Sequence, residues 1–345
     1  MLQAFFHAWE RRLATVSKNR IVRPFEWGLD WLPPAAQSAS NGNGSQAHAV
    51  QRWVDEVMAD TDAFFTPEPT DDYQLSAPTA EGDRFLTFPT AFTTPHRENN
   101  TVYCRLIEPK QRSRAAVLVL PQWNSDPAGH VGLCRLLAMN RMTALRLSLP
   151  YHDQRMPSEL ERADYIVSSN VARTVQVCRQ AVLDARRAIA WLAREGYDRI
   201  GILGTSLGSC LSLLTTAHEP LIRAQALNHI SPYFADVVWR GISTRHVRDG
   251  LDGNIELELL RELWKPISPR WYLDRVRDRK TLLVYALYDL TFPLDLSRDL
   301  VQQFEALNVP HEVAVLRCGH YSTGKTPFKF VDGWILTRFL KRALV

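Results

Sequence analysis

From Ala115 onward the chain alternates short apolar runs with longer amphipathic stretches, and no other feature narrows the available folds as much. Ala115–Leu120 is a continuous apolar run, the mark of a strand covered on both faces. Gly132–Met142 reads as the helix that follows, and Ala144–Leu149 as the next strand. Thr174–Arg194 is a long helix in which Val177, Ala181, Ala185, Ala188, Ile189 and Leu192 form one apolar stripe, and Gly196 ends it. Strands at Arg199–Leu203, Arg223–Asn228, Thr281–Leu287 and His311–Leu316 then interleave with helices at Leu207–Thr216, Leu294–Leu307 and near Val331–Leu344. Repeated strand–helix–strand units predict an α/β fold with a mostly parallel central sheet and helices on both faces.

Some stretches stand outside this rhythm. Arg84–Phe88 and Thr101–Ile107 read as short strands ahead of it. Residues 231–277 break it and carry Trp239, Trp264, Trp271 and Tyr272, which suggests a cap-like insertion over a pocket or, equally, aromatic packing. Residues 33–48 read PPAAQSASNGNGSQAH, a mobile linker by composition. The expected organisation is an N-terminal helical arm and flexible linker over residues 1–60, then one domain over residues 61–345 with the cap at 231–277.

Within the rhythm, Gly204-Thr-Ser206-Leu-Gly208 follows one expected strand and opens the next helix. In that context G-x-S-x-G is a nucleophile elbow, a turn so tight that side chains two before and two after the serine would meet neighbouring backbone. The turn lifts the Ser206 hydroxyl above the sheet edge, at a helix N-terminus that favours developing negative charge. A serine nucleophile needs a base, and the elbow predicts the chain order Ser, acid, His. His320, in Arg317-Cys-Gly-His320, follows the last strand at its carboxyl end, where open α/β sheets place their sites. Asp289 follows strand Thr281–Leu287 and is the favoured acid, holding the imidazole tautomer. Asp236 is a reserve, and Asp295 is disfavoured because it falls inside the next helix. An oxyanion hole needs two N–H groups, expected from Leu207 and from Trp123 in the loop Pro121-Gln-Trp-Asn124.

These residues resemble the α/β-hydrolase superfamily of serine hydrolases, by motif order and strand–helix rhythm over roughly Ala115 to Val345. Leu149-Pro-Tyr-His-Asp-Gln-Arg-Met-Pro157, with the elbow and the Cys-Gly-His motif, looks most like the alpha/beta hydrolase domain-containing protein 18 branch. The resemblance implies a carboxylesterase- or lipase-like enzyme cleaving an ester, thioester or related acyl bond through an acyl-enzyme, with no cofactor and no metal. Pro121-Gln122 stand where the superfamily commonly has His-Gly, which leaves the second oxyanion donor open. His152 and Asp153 are candidates to line the site or to hold the loop.

Composition sets the remaining bounds. With 41 Lys+Arg against 37 Asp+Glu the net charge is +4, too small and unclustered to argue for a nucleic-acid partner. The five cysteines are scattered with no C-x-x-C pair, as expected of reduced thiols in a cytoplasmic protein. The N-terminus lacks the pattern of a signal peptide. Leu2, Phe5, Phe6, Trp9 and Leu13 lie at helical spacing, expected to pack on the protein's own body, with membrane-surface contact through residues 2–13 as the alternative. The uncharged run Ile200–Ala217 holds three glycines and six hydroxyl residues, so strand, turn and core helix explain it better than a membrane span.

A rival motif overlaps the expected base. Gly319-His-Tyr-Ser-Thr-Gly324-Lys325-Thr326 matches the G-x-x-x-x-G-K-T phosphate loop and follows a strand. Pro327 follows directly, too little chain remains for a nucleotide domain, and no upstream strand ends in an obvious magnesium aspartate. The reading is therefore a serine hydrolase acting on a small-molecule or lipid-like acyl substrate. The alternatives are an inactive hydrolase-fold binding module and, less favoured, a nucleotide binder.

Overall fold

The computed structural model describes residues 1–17, 19–38 and 46–345. Its strands are β1 (Gln74–Leu75), β2 (Arg84–Pro89), β3 (Thr101–Ile107), β4 (Ala115–Leu120), β5 (Thr143–Leu147), β6 (Arg199–Thr205), β7 (Ile222–Asn228), β8 (Lys280–Ala286) and β9 (Glu312–Leu316). They form one sheet in the order β1-β2-β3-β5-β4-β6-β7-β8-β9. The pairs from β1 to β5 along that order are antiparallel, and those from β5 to β9 are parallel. The chain reverses its direction of travel across the sheet between β4 and β6, and a crevice opens beyond the carboxyl ends of strands at such a point.

The helices are α1 (Leu2–Ala14), α2 (Pro34–Ser38), α3 (Gln46–Ala59), α4 (Thr61–Phe65), α5 (Val131–Met139), α6 (Val171–Arg194), α7 (Leu207–His218), α8 (Phe234–Arg240), α9 (Arg245–Leu251), α10 (Leu257–Leu263), α11 (Leu294–Ala306), α12 (His320–Thr323) and α13 (Phe328–Leu344). Alternation along the buried strands divides the core in two. Ala116, Leu118 and Leu120 of β4 join Ile200 and Ile202 of β6 against α6 and α7. Val117, Val119 and Leu203 face the other way, against Leu137 of α5 and Leu336 and Leu340 of α13. Both faces are covered, which is why β4 carries no polar residue to read as an outward face.

Two expectations change here. Within the expected linker, Pro34–Ser38 and the stretch from Gln46 are helical, and the residues between them lie outside those described. Proline at a first helical position suits α2, since its missing N–H would have had no partner there. Val50, Trp53, Val54 and Val57 of α3 enter the same apolar core as α6. In residues 231–277, Trp264 and Tyr272 turn inward, with Trp264 Nε1 donating to Val171 O at 3.1 Å. That segment instead faces the crevice with Tyr233, Phe234, Val237 and Val238.

Candidate active site

The turn between β6 and α7 places Ser206 at φ 57° and ψ −119°, a conformation an L-residue adopts only when its surroundings enforce it. The enforcement is visible at both flanking glycines. A Cβ at Gly204 would lie 2.1 Å from Gly208 O, and one at Gly208 would lie 2.2 Å from Leu120 O. The Ser206 amide donates to Asn228 O at 2.7 Å, tying the turn to the end of β7. Leu207 opens α7, and the first N–H groups of a helix have no partner inside it.

Asp289 and His320 come together at the carboxyl ends of β8 and β9. His320 Nδ1 donates to Asp289 Oδ2 at 3.0 Å, and the Phe292 ring lies parallel to the imidazole with centroids 5.3 Å apart. The amides of Thr291 and Phe292 both donate to Asp289 Oδ1 at 2.7 Å. A second histidine, which the sequence reading missed, meets the same carboxylate: His229 Nδ1 donates to Asp289 Oδ2 at 3.1 Å. Its signal was present, because His229 directly follows β7 just as His320 follows the end of β9. Burial raises the Asp289 carboxyl, but the His320 charge and the two imidazole hydrogen bonds outweigh it and hold the group well below the usual carboxylate range. For His320, burial lowers and Asp289 raises, and the net shift is upward. For His229 burial wins, and the shift is downward.

Ser206 and His320 line one cavity of about 910 Å³, and their side chains are not hydrogen-bonded to each other in this structure. The rival carboxylates are engaged elsewhere. Asp236 is gripped by Arg261 at 2.6 and 2.9 Å, and Asp295 by Arg240 at 2.8 Å to each oxygen.

The loop after β4 brings Trp123 to the same cavity. Its indole donates to Ala163 O at 2.8 Å, and among the described residues its backbone N–H has no partner. His152 lies behind this loop: Nδ1 donates to Pro150 O, which leaves Nε2 to accept the Asn124 amide at 2.9 Å. Burial holds His152 neutral, its value lowered to about 4. Asp153 pairs with buried Arg146 at 3.0 Å. His152 and Asp153 thus shape the loop rather than face the serine.

The N-terminal helix enters here as well. Glu10 of α1 is fully buried, and its two oxygens accept the amides of Tyr321 and Ser322 at 2.8 and 2.9 Å. These are the first-turn N–H groups of the short helix that begins with His320. Gly319 leaves the room, since a Cβ there would lie 2.3 Å from Glu10 Cδ. Phe6 of α1 stacks on Tyr288 at 4.6 Å, beside Asp289. Within the G-x-x-x-x-G-K-T stretch the Tyr321 and Ser322 amides therefore hold a carboxylate of the chain itself, and those of Gly324 and Lys325 are bonded to Tyr321 O and Ser322 O. Leu2 and Phe5 remain exposed on the outer face of α1.

His229, Asp289 and His320 also form the one group among the described residues whose ligand atoms, within 4.8 Å of one another, are close enough to hold a metal ion. Both Nδ1 atoms are committed to the carboxylate, while His229 Nε2 is buried without a partner. All five cysteines are buried and unpaired. No helix among the described residues is long and apolar enough to cross a membrane.

No protein-family model matches the chain. Solved structures do resemble it. An acetyl xylan esterase from Thermoanaerobacterium sp. JW/SL YS485 superposes with a TM-score of 0.62 at 15% identity, over 85% of this chain and 94% of that one. The acylaminoacyl peptidase of Pyrococcus horikoshii gives 0.60 at 14% identity over 79% of this chain, which spans only 42% of the peptidase. An esterase from Pyrococcus furiosus gives 0.54 at 17% identity, over 81% of this chain and all of that one. At such identities the likeness speaks to architecture, and with the sheet order and the turn at Ser206 it establishes that the chain has the α/β-hydrolase fold.

Proposed function

We propose that the protein is a serine hydrolase cleaving an ester, thioester or related acyl bond. One observation carries the reading. His320, hydrogen-bonded to Asp289, lines the same cavity as a serine held at φ 57° on a helix N-terminus. In this mechanism Ser206 attacks the acyl carbonyl while His320 Nε2 takes its proton. Asp289 fixes the imidazole with Nδ1–H toward the carboxylate and stabilises imidazolium without taking the proton itself. The Leu207 and Trp123 amides receive the oxyanion. Imidazolium then protonates the leaving group, and water attacking the acyl-enzyme completes the cycle. The serine–imidazole hydrogen bond is one that commonly tightens only with substrate present.

The cap-side wall, with Phe234, Val237, Val238 and Cys210, suits an apolar acyl group. The similar structures include enzymes named as esterases and a lipase, which supports a carboxylesterase- or lipase-like substrate. Likeness to the alpha/beta hydrolase domain-containing protein 18 branch, and a cytoplasmic setting, rest on the residues alone.

A fluorophosphonate probe tests the assignment. Wild type is expected to label and Ser206→Ala not to, with hydrolysis of a p-nitrophenyl ester falling by roughly 10⁴-fold or more. Equal labelling of both would overturn the reading. So would unlabelled, inactive wild type, which would favour a binding module on this fold.

A further inference from the structure

The cavity runs past Ser206 to a part the mechanism above does not use. Thr205 and Asn228 end β6 and β7 side by side, and the side chains on this face of the sheet meet α5 and α13. There Asn228 Nδ2 donates to Asp332 Oδ2 of α13 at 2.9 Å, and His130, just before α5, shares a 2.9 Å hydrogen bond with Thr205 Oγ1. Asp332 is 9% exposed, yet its Oδ1 has no partner, and neither do Asn228 Oδ1 or His130 Nδ1. All three residues line the same cavity as Ser206. Leaving several buried polar atoms unpaired in one cavity wall is costly, on the order of 1–3 kcal/mol each, unless a ligand completes them. Burial also raises the Asp332 carboxyl to about 7 against the Asn228 hydrogen bond, so near neutrality the group is only about half ionised.

Position tells which part of a substrate would lie here. His320 must protonate the departing group, so that group lies on the His320 side of Ser206. Thr323 and Gly324, three and four residues after His320, line the cavity together with Asp332. The walls are Leu133, Leu136 and Phe330, and Arg135 and Lys329 also line it. The Lys329 ammonium disfavours a cationic ligand, whereas the Arg135 guanidinium is already paired with Glu81 and Asp83. A set with two free acceptors and one imidazole nitrogen suits a hydroxyl, which both donates and accepts.

We propose that the lobe between α5 and α13 is the leaving-group subsite, and that Asp332, Asn228 and His130 select an alcohol carrying a second hydroxyl, as in a polyol ester. This rests on the serine-hydrolase reading and names the half of the substrate that reading leaves open.

Three hexanoate esters of nearly equal size, propyl, 2-hydroxyethyl and 2-aminoethyl, test it, with the methyl ester as a smaller fourth. Wild type is expected to favour 2-hydroxyethyl over propyl by about tenfold in kcat/KM, the effect of one good hydrogen bond. In Asp332→Ala that ratio is expected to fall to near one. Comparing ratios between proteins removes intrinsic differences in ester reactivity. Gly333→Leu supplies a second handle, since a Cβ there meets nothing nearer than 3.5 Å and the side chain fills the lobe from α13 without altering a polar group. It is expected to shift selectivity toward the methyl ester by at least fivefold over propyl. An unchanged hydroxyethyl-to-propyl ratio in Asp332→Ala, or preference for the aminoethyl ester, would overturn the subsite. Hydrolysis that persists in Ser206→Ala would instead overturn the reading beneath it.

Discussion

Two loops face each other across Ser206, and they are held in unlike ways. The loop after β4, which presents the Trp123 amide, is fastened by neighbours in the same part of the chain. His152 accepts the Asn124 amide, and Asn124 Oδ1 accepts the Ala163 amide at 2.8 Å. The loop after β9, which presents His320, is fastened from the opposite end of the sequence by Glu10, more than three hundred residues away. The first anchor is neutral imidazole and amide. The second is a buried carboxylate set against two N–H groups, a stronger, charge-assisted arrangement with no substitute nearby. The comparison teaches that the oxyanion side is a local construction, whereas the base side depends on docking of α1.

Three measurements can break or sharpen this contrast. The largest effect is expected at the carboxylate that orients the base. Asp289→Asn keeps the shape but favours the wrong imidazole tautomer, and kcat should fall by about 10⁴-fold. A fall below tenfold would show that His229 or another group replaces the carboxylate.

Next comes Glu10→Gln, which can accept only one of the two amides and turns an NH₂ toward the other. We expect roughly 10–100-fold loss in kcat/KM from a displaced imidazole and about 1–3 kcal/mol of stability lost to the unpaired amide. Gly319→Ala, which crowds Glu10 out, should reproduce both effects. The pH profile distinguishes positioning from general destabilisation. His320 must be neutral to act as base, and Asp289 and Glu10 both raise its titration above the ordinary imidazole value of about 6.5. The acid limb of kcat/KM should therefore rise with pH through a midpoint above that value, and Glu10→Gln should move the midpoint down. An unmoved midpoint would reduce Glu10 to a structural clamp.

The smallest effect is expected from His152→Leu. It leaves the Asn124 amide unpaired, at about 1–3 kcal/mol, while the Asn124 and Trp123 bonds to Ala163 still hold the loop. Activity should drop by less than tenfold, with kcat changing more than KM. A loss as large as that of Glu10→Gln would erase the difference between the two loops.

The parts legible in the sequence were those with local causes. The strand at Ala115–Leu120 and the long helix ending before Gly196 show themselves through short-range periodicity, and the Gly204–Gly208 turn through sterics spanning five residues. The pairing of Asp289 with His320 followed from where strands end. Glu10 was not legible, because nothing near it in the chain marks a carboxylate whose partners are backbone amides at Tyr321 and Ser322. Asp332 was hidden for a similar reason: it sits within a helix, and only the folded sheet brings Asn228 beneath it. The aromatic residues of 231–277 left a cap and core packing equally open. Trp264 and Tyr272 serve the core, since apolar pockets and apolar cores draw on the same side chains.

The Glu10 clamp also bears on how the molecule comes into being. Glu10 must find two amides more than three hundred residues further along the chain, a contact of very high sequence separation whose loop-closure cost is met late in folding. Until that meeting the histidine loop keeps its bond to Asp289 but lacks the clamp on its first turn, even with the sheet and the serine turn in place. Full reactivity would then wait for the seating of α1, and a chain that has every chemical group it needs but not this contact would act on acyl bonds roughly 10–100-fold more slowly.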